Sequence, residues 1–336
     1  MRNLLLPLAW FYGLILRVRH FLFDKQILTS KKFPVKTLGV GNLALGGTGK
    51  SVVVEYLLDH FQAVYTLAVL SRGYKRKTRG FVLASASASA LSIGDEPFQF
   101  YKKYPKISVA VCERRVLGIK KLMASQTPPE IIILDDVMQH RWVAVELLLL
   151  TTTYNNLFSN DRLFPAGSLR DRRQEARRAQ IILITKCPKT ITKKEAKAIR
   201  KNIQCVPNQK VYFTTIDYNA MALSVRGTKS LSEILQHRFI LITGIAVPTA
   251  LVEFLEGIGG MFEWLKFPDH HVFSKVDIKK IESLEAPFIL TTEKDYGRLY
   301  PCLPQAEIYY LPIRMGFVFK EEEESFKNAL KSFFDS

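Results

Sequence analysis

Cysteine is scarce: four residues in 336, Cys112, Cys187, Cys205 and Cys302, far apart in sequence. That excludes a disulfide-dense scaffold and a paired-cysteine metal knuckle, and fits reduced thiols in a cytoplasmic protein. Long hydrophobic runs are missing as well. The stretch "NLLLPLAWFYGLILRVRHFLF" is apolar up to Leu16 and then carries Arg17, Arg19 and His20, short of the roughly 20 residues a membrane span needs. Apart from Arg2 it has neither the basic start nor the small-residue cleavage site of a secretory signal. Acidic residues are in deficit: 31 Asp plus Glu against 48 Lys plus Arg leave a formal net charge of +17. Such an excess suits a polyanionic partner, whether nucleic acid, an anionic membrane surface or a phosphorylated substrate. There is no zinc, helix-turn-helix or RNA-binding motif, so nucleic acid is not the expected partner.

What is present begins with that N-terminal segment. Leu, Trp and Phe beside basic residues suit a helix lying in the membrane interface on its anionic, cytoplasmic side; the alternative is a first helix docked on the core. From Lys36 short apolar runs alternate with helical ones. "KTLGVGN" reads as a strand entering a glycine turn, and "KSVVVEYLLDHF" as the helix after it. "VYTLAVLS", "EIIILDD" and "QIILITK" read as further strands, the last two continuous apolar runs of the kind buried in parallel sheets. This rhythm predicts an α/β fold with a mainly parallel sheet covered by helices. "SASASALS", Ser85–Ser92, reads as an irregular loop.

The rhythm breaks after Cys205, where "KVYFTTIDYNAMALS" reads as a β ribbon turning at Asp217–Asn219. A second αβ series follows in "RFILITGIA", "PTALVEFLEGIG", "PFILTTEKD" and "IYYLPI". "EEEESFKNALKSFF" reads as an amphipathic helix whose glutamates suit the positive end of the helix dipole. A chain of this length exceeds what one core usually serves. The expected division is a membrane-interface segment over 1–30, a P-loop domain over 31–210, a β-ribbon linker over 211–230 and a smaller α/β domain over 231–336.

The stretch "VGNLALGGTGKS", Val40–Ser51, ends as a phosphate cradle. Backbone N–H groups of Gly46, Gly47, Thr48 and Gly49 would curl around the phosphates, Lys50 would supply positive charge, and the Ser51 hydroxyl would reach Mg²⁺. The strict pattern puts a glycine at position 44, where this chain has Ala44. A strand before and a helix after supply the context the mechanism requires. Such a loop needs an acidic group at another strand end for the metal, and "IIILDD" offers Asp135 and Asp136. On residues alone the reading is an Mg²⁺–nucleotide protein.

Beyond the loop, "GNLALGGTGKS", "LSRGYKRKTRG", "GDEPFQ", "VAVCERR", "LDDVMQHR", "LFPAGSLRD", "ITK", "FPDHHVF" and "TTEKD" occur in one order from Gly41 to Asp295. As an ordered set they resemble the tetraacyldisaccharide 4'-kinases, the lipid A 4'-kinases of Gram-negative bacteria. The resemblance implies a P-loop α/β domain and a smaller α/β domain joined by a β ribbon and flanking a cleft. It implies Mg²⁺-dependent transfer of the ATP γ-phosphoryl group to the 4'-hydroxyl of a tetraacylated glucosamine disaccharide 1-phosphate, giving lipid IVA. It also implies a location at the cytoplasmic face of the inner membrane, held peripherally or by the N-terminus, with a monomer expected. By this resemblance Asp95 is the base and His270 its partner, and Glu96 sits near the metal with Ser51, Asp135 and Asp136. Arg72, Tyr74 and Arg115 match positions lining the sugar-phosphate cleft; Asn42, Gln139, His140 and Arg170 match motif positions near it. Arginine suits phosphate because its planar fork bonds in pairs. Two departures stand out: Val137-Met138 replaces the usual Gly-Phe, and Asp171 replaces the usual Glu.

Bland readings exist beside these. Asp95 could simply cap a helix, His271 is the twin of His270, and "YKRKTRG" could be a solvated basic loop. Two other functional classes are a P-loop GTPase or switch, because "ITKCP" mimics the strand-end lysine of guanine readers, and a nucleic-acid-binding ATPase, because of the charge. Against the first, position 188 is Pro, where a guanine reader would carry Asp.

Overall fold

The structure, a computed structural model, describes residues 2–269 and 271–335. A short 3₁₀ turn leads into α1 (Leu6–Asp24), followed by β1 (Lys36–Asn42), α2 (Lys50–Phe61), β2 (Leu67–Ser71), β3 (Val82–Leu83), α3 (Ala90–Ile93), α4 (Asp95–Lys103), β4 (Ser108–Val111), α5 (Arg115–Met123), β5 (Ile131–Asp135), β6 (Leu147–Thr153), β7 (Ile181–Thr185), α6 (Lys193–Asn202) and β8 (Lys210–Tyr218). Then come β9 (Met221–Ser224), β10 (Gly227–Ser230), α7 (Leu231–Ile234), β11 (Phe239–Thr243), α8 (Thr249–Gly257), β12 (Phe262–Lys266), α9 (Lys275–Glu282), β13 (Ile289–Thr291), α10 (Glu293–Leu299) and β14 (Ile308–Tyr310). The chain closes with β15 (Ile313–Phe317) and α11 (Lys320–Asp335). It divides into two compact units, residues 1–216 with 315–336, and residues 217–314.

Among the described residues the first unit holds a nine-stranded sheet in the order β15-β8-β7-β6-β1-β5-β2-β4-β3. The run from β8 to β4 is parallel, and β3 closes one edge antiparallel to β4. Its strands alternate strictly. Ile132 and Leu134 of β5, with Leu148, Leu150, Ile182 and Ile184, join one apolar cluster under α5 and α6. Ile131 and Ile133, with Leu38, Val40, Leu149 and Leu183, join the other, under α2, α4 and α11. A strand covered on both faces has no side left for polar residues, which is why these strands read as unbroken apolar runs. The second unit repeats the scheme on a six-stranded sheet, β10-β9-β14-β13-β11-β12, with α7 and α8 on one face and α9 and α10 on the other.

Two elements differ from expectation. The serine-rich stretch ends in a helix, because Ser89 and Ser92 form a reciprocal cap at the start of α3. The closing helix, expected with the second domain, belongs to the first unit. Phe326, Leu330 and Phe334 pack into the cluster that holds Tyr56, Phe61 and Tyr212. Its glutamates do more than face a dipole: the buried Glu322 carboxylate accepts the Phe213 N–H at 2.7 Å and pairs with Arg200.

The first helix shows two faces. Ala9, Leu16, His20 and Phe23 are buried, whereas Leu8, Trp10, Phe11, Leu14, Ile15, Val18 and Phe21 are exposed. Among the described residues no helix is long and apolar enough to cross a membrane.

Because Phe326 is fully buried beneath the central sheet, Phe326→Ala should cost about 3–5 kcal/mol. Urea unfolding should show the midpoint fall accordingly; an unchanged midpoint would mean α11 does not contribute to the first unit's core.

Candidate active site

The parallel register sets the site. Val40 of β1 lies opposite Asp135 of β5, and Asn42 opposite Thr151 of β6. The loop after β1 and the acidic end of β5 therefore emerge side by side at the carboxyl edge of a parallel sheet, where such folds bind ligands.

Residues 43–45 do not curl at once. Ala44 bridges Leu169 antiparallel, Leu45 N–H donates to Ser168 O at 2.7 Å, and Arg170 N–H donates to Leu43 O at 2.8 Å. Position 44 is thus extended backbone, and an alanine there costs nothing. The turn falls on Gly46 (φ 99°) and Gly49 (φ 82°), the latter capping α2, in the left-handed region that favours glycine. The loop floor is held from β7 and β6. Thr185 Oγ1 donates to Thr48 O at 2.9 Å, Lys186 Nζ donates to Gly47 O at 2.8 Å, and Thr48 Oγ1 lies 2.8 Å from Thr151 Oγ1.

At the helix start, Lys50 Nζ stands 3.4 Å from Asp136 Oδ1, and Ser51 Oγ donates to Glu96 Oε1 at 2.6 Å. Asp136 also takes the Arg170 guanidinium on both oxygens, and Arg170 reaches Asn42 Oδ1 as well. Gln139 donates from its amide to Asn42 O at 2.9 Å. The positive φ of this turn, 50°, sits on Asp136, a residue type that tolerates it. Val137 keeps an ordinary backbone, so the usual glycine is not needed there. Room for Met138 comes from β1 instead: a Cβ on Gly41 would lie 2.7 Å from Met138 Cβ.

The two aspartates sit in opposite electrostatic settings. Asp135 is buried; burial first, then Glu96 and Asp136, push its carboxyl up to about 7. Its Oδ2 accepts from Ser71 Oγ at 2.9 Å, while Oδ1 is buried with no hydrogen-bond partner among the described residues. Burial acts the same way on Asp136, yet Lys50 and Arg170 hold it down to about 2. His140 is pushed down to about 4 by burial and by Arg115, Arg19 and Arg72, so it is neutral at physiological pH.

Sequence-predicted residues divide accordingly. Lys50, Ser51, Glu96, Asp135, Asp136, Asn42, Gln139 and Arg170 come together around the loop. Arg72 and Tyr74 lie exposed on the turn after β2, a turn pinned by Arg76 to Glu113. Arg115 does not line an open surface: it is 2% exposed and donates to Cys112 O and Asp135 O, at 2.8 and 3.1 Å, bracing the acidic turn from beneath. Asp95 is the first residue of α4, with Gly94 in the cap position and no side-chain cap, so the capping reading does not hold. His270 lies outside the described residues. Its twin His271 is engaged elsewhere, 3.0 Å from Asp277 and stacked on Phe267. The buried Asp295 of "TTEKD" accepts the Gly244 N–H at 2.8 Å and braces its own unit. Sequence reasoning passed over Ser71 and Thr185 as individual residues, although each stands inside a quoted motif, and read Lys186 only as a mimic of a guanine reader's lysine. Among the described residues no three His, Cys, Asp or Glu side chains converge to cage an ion alone. A site completed by phosphate oxygens and water, as Mg²⁺ prefers, needs no such cage.

The raised Asp135 carboxyl has a signed consequence. A carboxylate whose folded pKa exceeds its unfolded value favours folding at low pH and loses that contribution as pH rises toward about 7. Asp135→Asn should therefore raise the Tm of the nucleotide-free protein at about pH 8, and the gain should shrink toward about pH 4. Thermal melts across pH that show no such trend would contradict the burial argument.

The family model described as tetraacyldisaccharide-1-P 4'-kinase (LpxK) matches residues 1–335. The tetraacyldisaccharide 4'-kinase of Flavobacterium johnsoniae is 42% identical over 319 residues, covering 95% of this chain and 93% of that protein. That of Flavobacterium psychrophilum is 43% identical over 326 residues, covering 96% and 94%. The crystal structure of LpxK from Aquifex aeolicus in complex with ATP superposes with a TM-score of 0.80 at 29% identity, covering 99% of both chains. Similarity over nearly the whole chain leaves one conclusion: this chain belongs to the tetraacyldisaccharide 4'-kinase family.

Proposed function

We infer that the chain transfers the γ-phosphoryl group of ATP to the 4'-hydroxyl of a tetraacylated glucosamine disaccharide 1-phosphate, the kinase step its family is named for in lipid A biosynthesis. The observation that carries this is Lys50 beside the strand-end Asp136, on a P-loop built between β1 and α2, in a chain that matches the family over residues 1–335.

The loop N–H groups from Gly46 to Gly49 and the start of α2 hold the phosphates, where backbone donors and the helix dipole favour negative charge. Lys50 neutralises charge on the transferring group. Ser51, Glu96 and Asp135 would hold Mg²⁺; the bare, buried Oδ1 of Asp135 and the crowding of carboxylates around it support that fit. Mg²⁺, when bound, offsets charge on the phosphate oxygens. Asp136 is engaged by Lys50 and Arg170 and serves to pre-position both. Asp95 takes the proton of the acceptor hydroxyl with His270 as its partner, and Arg72 and Tyr74 meet the sugar-phosphate. The exposed apolar row of α1, with Arg17 and Lys25 exposed beside it, rests on the anionic cytoplasmic face of the inner membrane, where the lipid acceptor is.

Labelled ATP and the defined disaccharide 1-phosphate test the activity. Lys50→Ala should lower turnover on the order of 10² or more, and Asp95→Asn roughly 10²–10⁴ with nucleotide affinity little changed; near wild-type turnover in both would overturn the assignment of roles. Trp10→Glu with Phe11→Glu should reduce co-sedimentation with anionic vesicles, and wild-type binding should weaken with salt through its basic component. Equal sedimentation of mutant and wild type would remove α1 from the membrane contact.

A further inference from the structure

The buried face of α1 reaches beyond packing. Tyr12 Oη donates to Arg170 O at 2.8 Å, and Arg19 Nη2 donates to Gln139 O at 2.6 Å. His20 is 1% exposed, a costly place for a ring with two polar nitrogens unless both are satisfied. Its Nε2 lies 2.6 Å from Asp171 Oδ1, and its Nδ1 lies 3.0 Å from Arg141 Nη1 and 3.2 Å from Glu175 Oε2. A proton on Nε2 lets the ring donate to Asp171 and accept from Arg141 through Nδ1. Glu175 is balanced by Arg178 at 3.1 Å. The same Asp171 oxygen also accepts the Arg172 N–H at 2.8 Å. Arg170, whose guanidinium clamps Asp136 and Asn42, is therefore gripped on both sides by one helix: Tyr12 holds its carbonyl, and His20 holds the next residue through Asp171.

We propose that His20, together with Tyr12, is a positioning residue for phosphoryl transfer, fixing the backbone from which Arg170 reaches Asp136 beside Lys50. This rests on the kinase reading above. The helix that offers its outer face to lipid then has an inner face belonging to the phosphate site, and the two faces have separable effects. Loss of the outer face weakens membrane contact and the KM for the lipid acceptor. Loss of the inner polar contacts lowers kcat, because a small displacement of an aligned charged group is costly in rate.

The test measures kcat and KM with ATP and the tetraacylated disaccharide 1-phosphate in detergent micelles, alongside vesicle co-sedimentation. His20→Ala should lower kcat about tenfold or more and Tyr12→Phe about threefold, with acceptor KM and sedimentation near wild type. His20→Gln, which keeps one donor toward Asp171, should recover part of the loss. The double variant His20→Ala with Asp171→Asn should be no worse than the poorer single variant, because the pair acts as a unit. Losses that multiply, or a defect confined to acceptor KM and sedimentation, would overturn the proposal. If His20→Ala does not fold, Tyr12→Phe decides, since it removes a single oxygen; an unchanged kcat there rejects the positioning role. Wild-type protein that transfers no phosphate would reject the kinase reading itself, and the proposal with it.

Discussion

The site depends on one pairing, Val40 of β1 opposite Asp135 of β5. Neighbouring strands lie about 4.8 Å apart, so this register alone sets the phosphate loop beside the acidic turn. The surrounding contacts preserve that closeness. Ser71 holds one oxygen of Asp135, Arg115 props its carbonyl from below, and Gly41 lets the chain after it fold back against β1. A slip of one residue would exchange the two faces of a strand whose every side chain is buried, so the apolar clusters above and below the sheet protect the register.

Two consecutive aspartates thereby acquire different characters without any difference in residue type. Asp135 continues β5 into the protein and meets other carboxylates. Asp136, one step on and in a left-handed conformation, points to Lys50 and Arg170. Burial acts on both; the nearby cations decide which remains ionised. The turn therefore separates a group short of a cation from a group already paired with two, within a single peptide step.

Much of this was legible in the residues. β1 and α2 begin and end where the apolar run, the glycines and Lys50 place them, and the strand-end aspartates follow from the run before them. Three things were not legible, each for a physical reason. The harmlessness of Ala44 depends on Leu169, 125 positions later by numbering, so a local pattern cannot reveal it. The burial of Arg115 under the acidic turn depends on packing, whereas the resemblance implied a place lining the sugar-phosphate cleft. Amphipathicity told that α11 buries a face, and composition left α1 between membrane interface and core, but neither names the partner; Phe326 meets Phe317, and His20, beside arginines, turns inward.

In sequence, the second unit is inserted between β8 and β15, two neighbouring strands of the first unit's sheet. On the ribosome this reverses the usual order of completion. Residues 217–314 are synthesised before α11, so the core of the first unit cannot close until the second unit has been made. Until α11 is made, the apolar side of α2 around Tyr56 and Phe61 has no cover. The nascent protein thus carries an exposed greasy flank through the synthesis of an entire second unit, a stretch during which holding chaperones have something to grip.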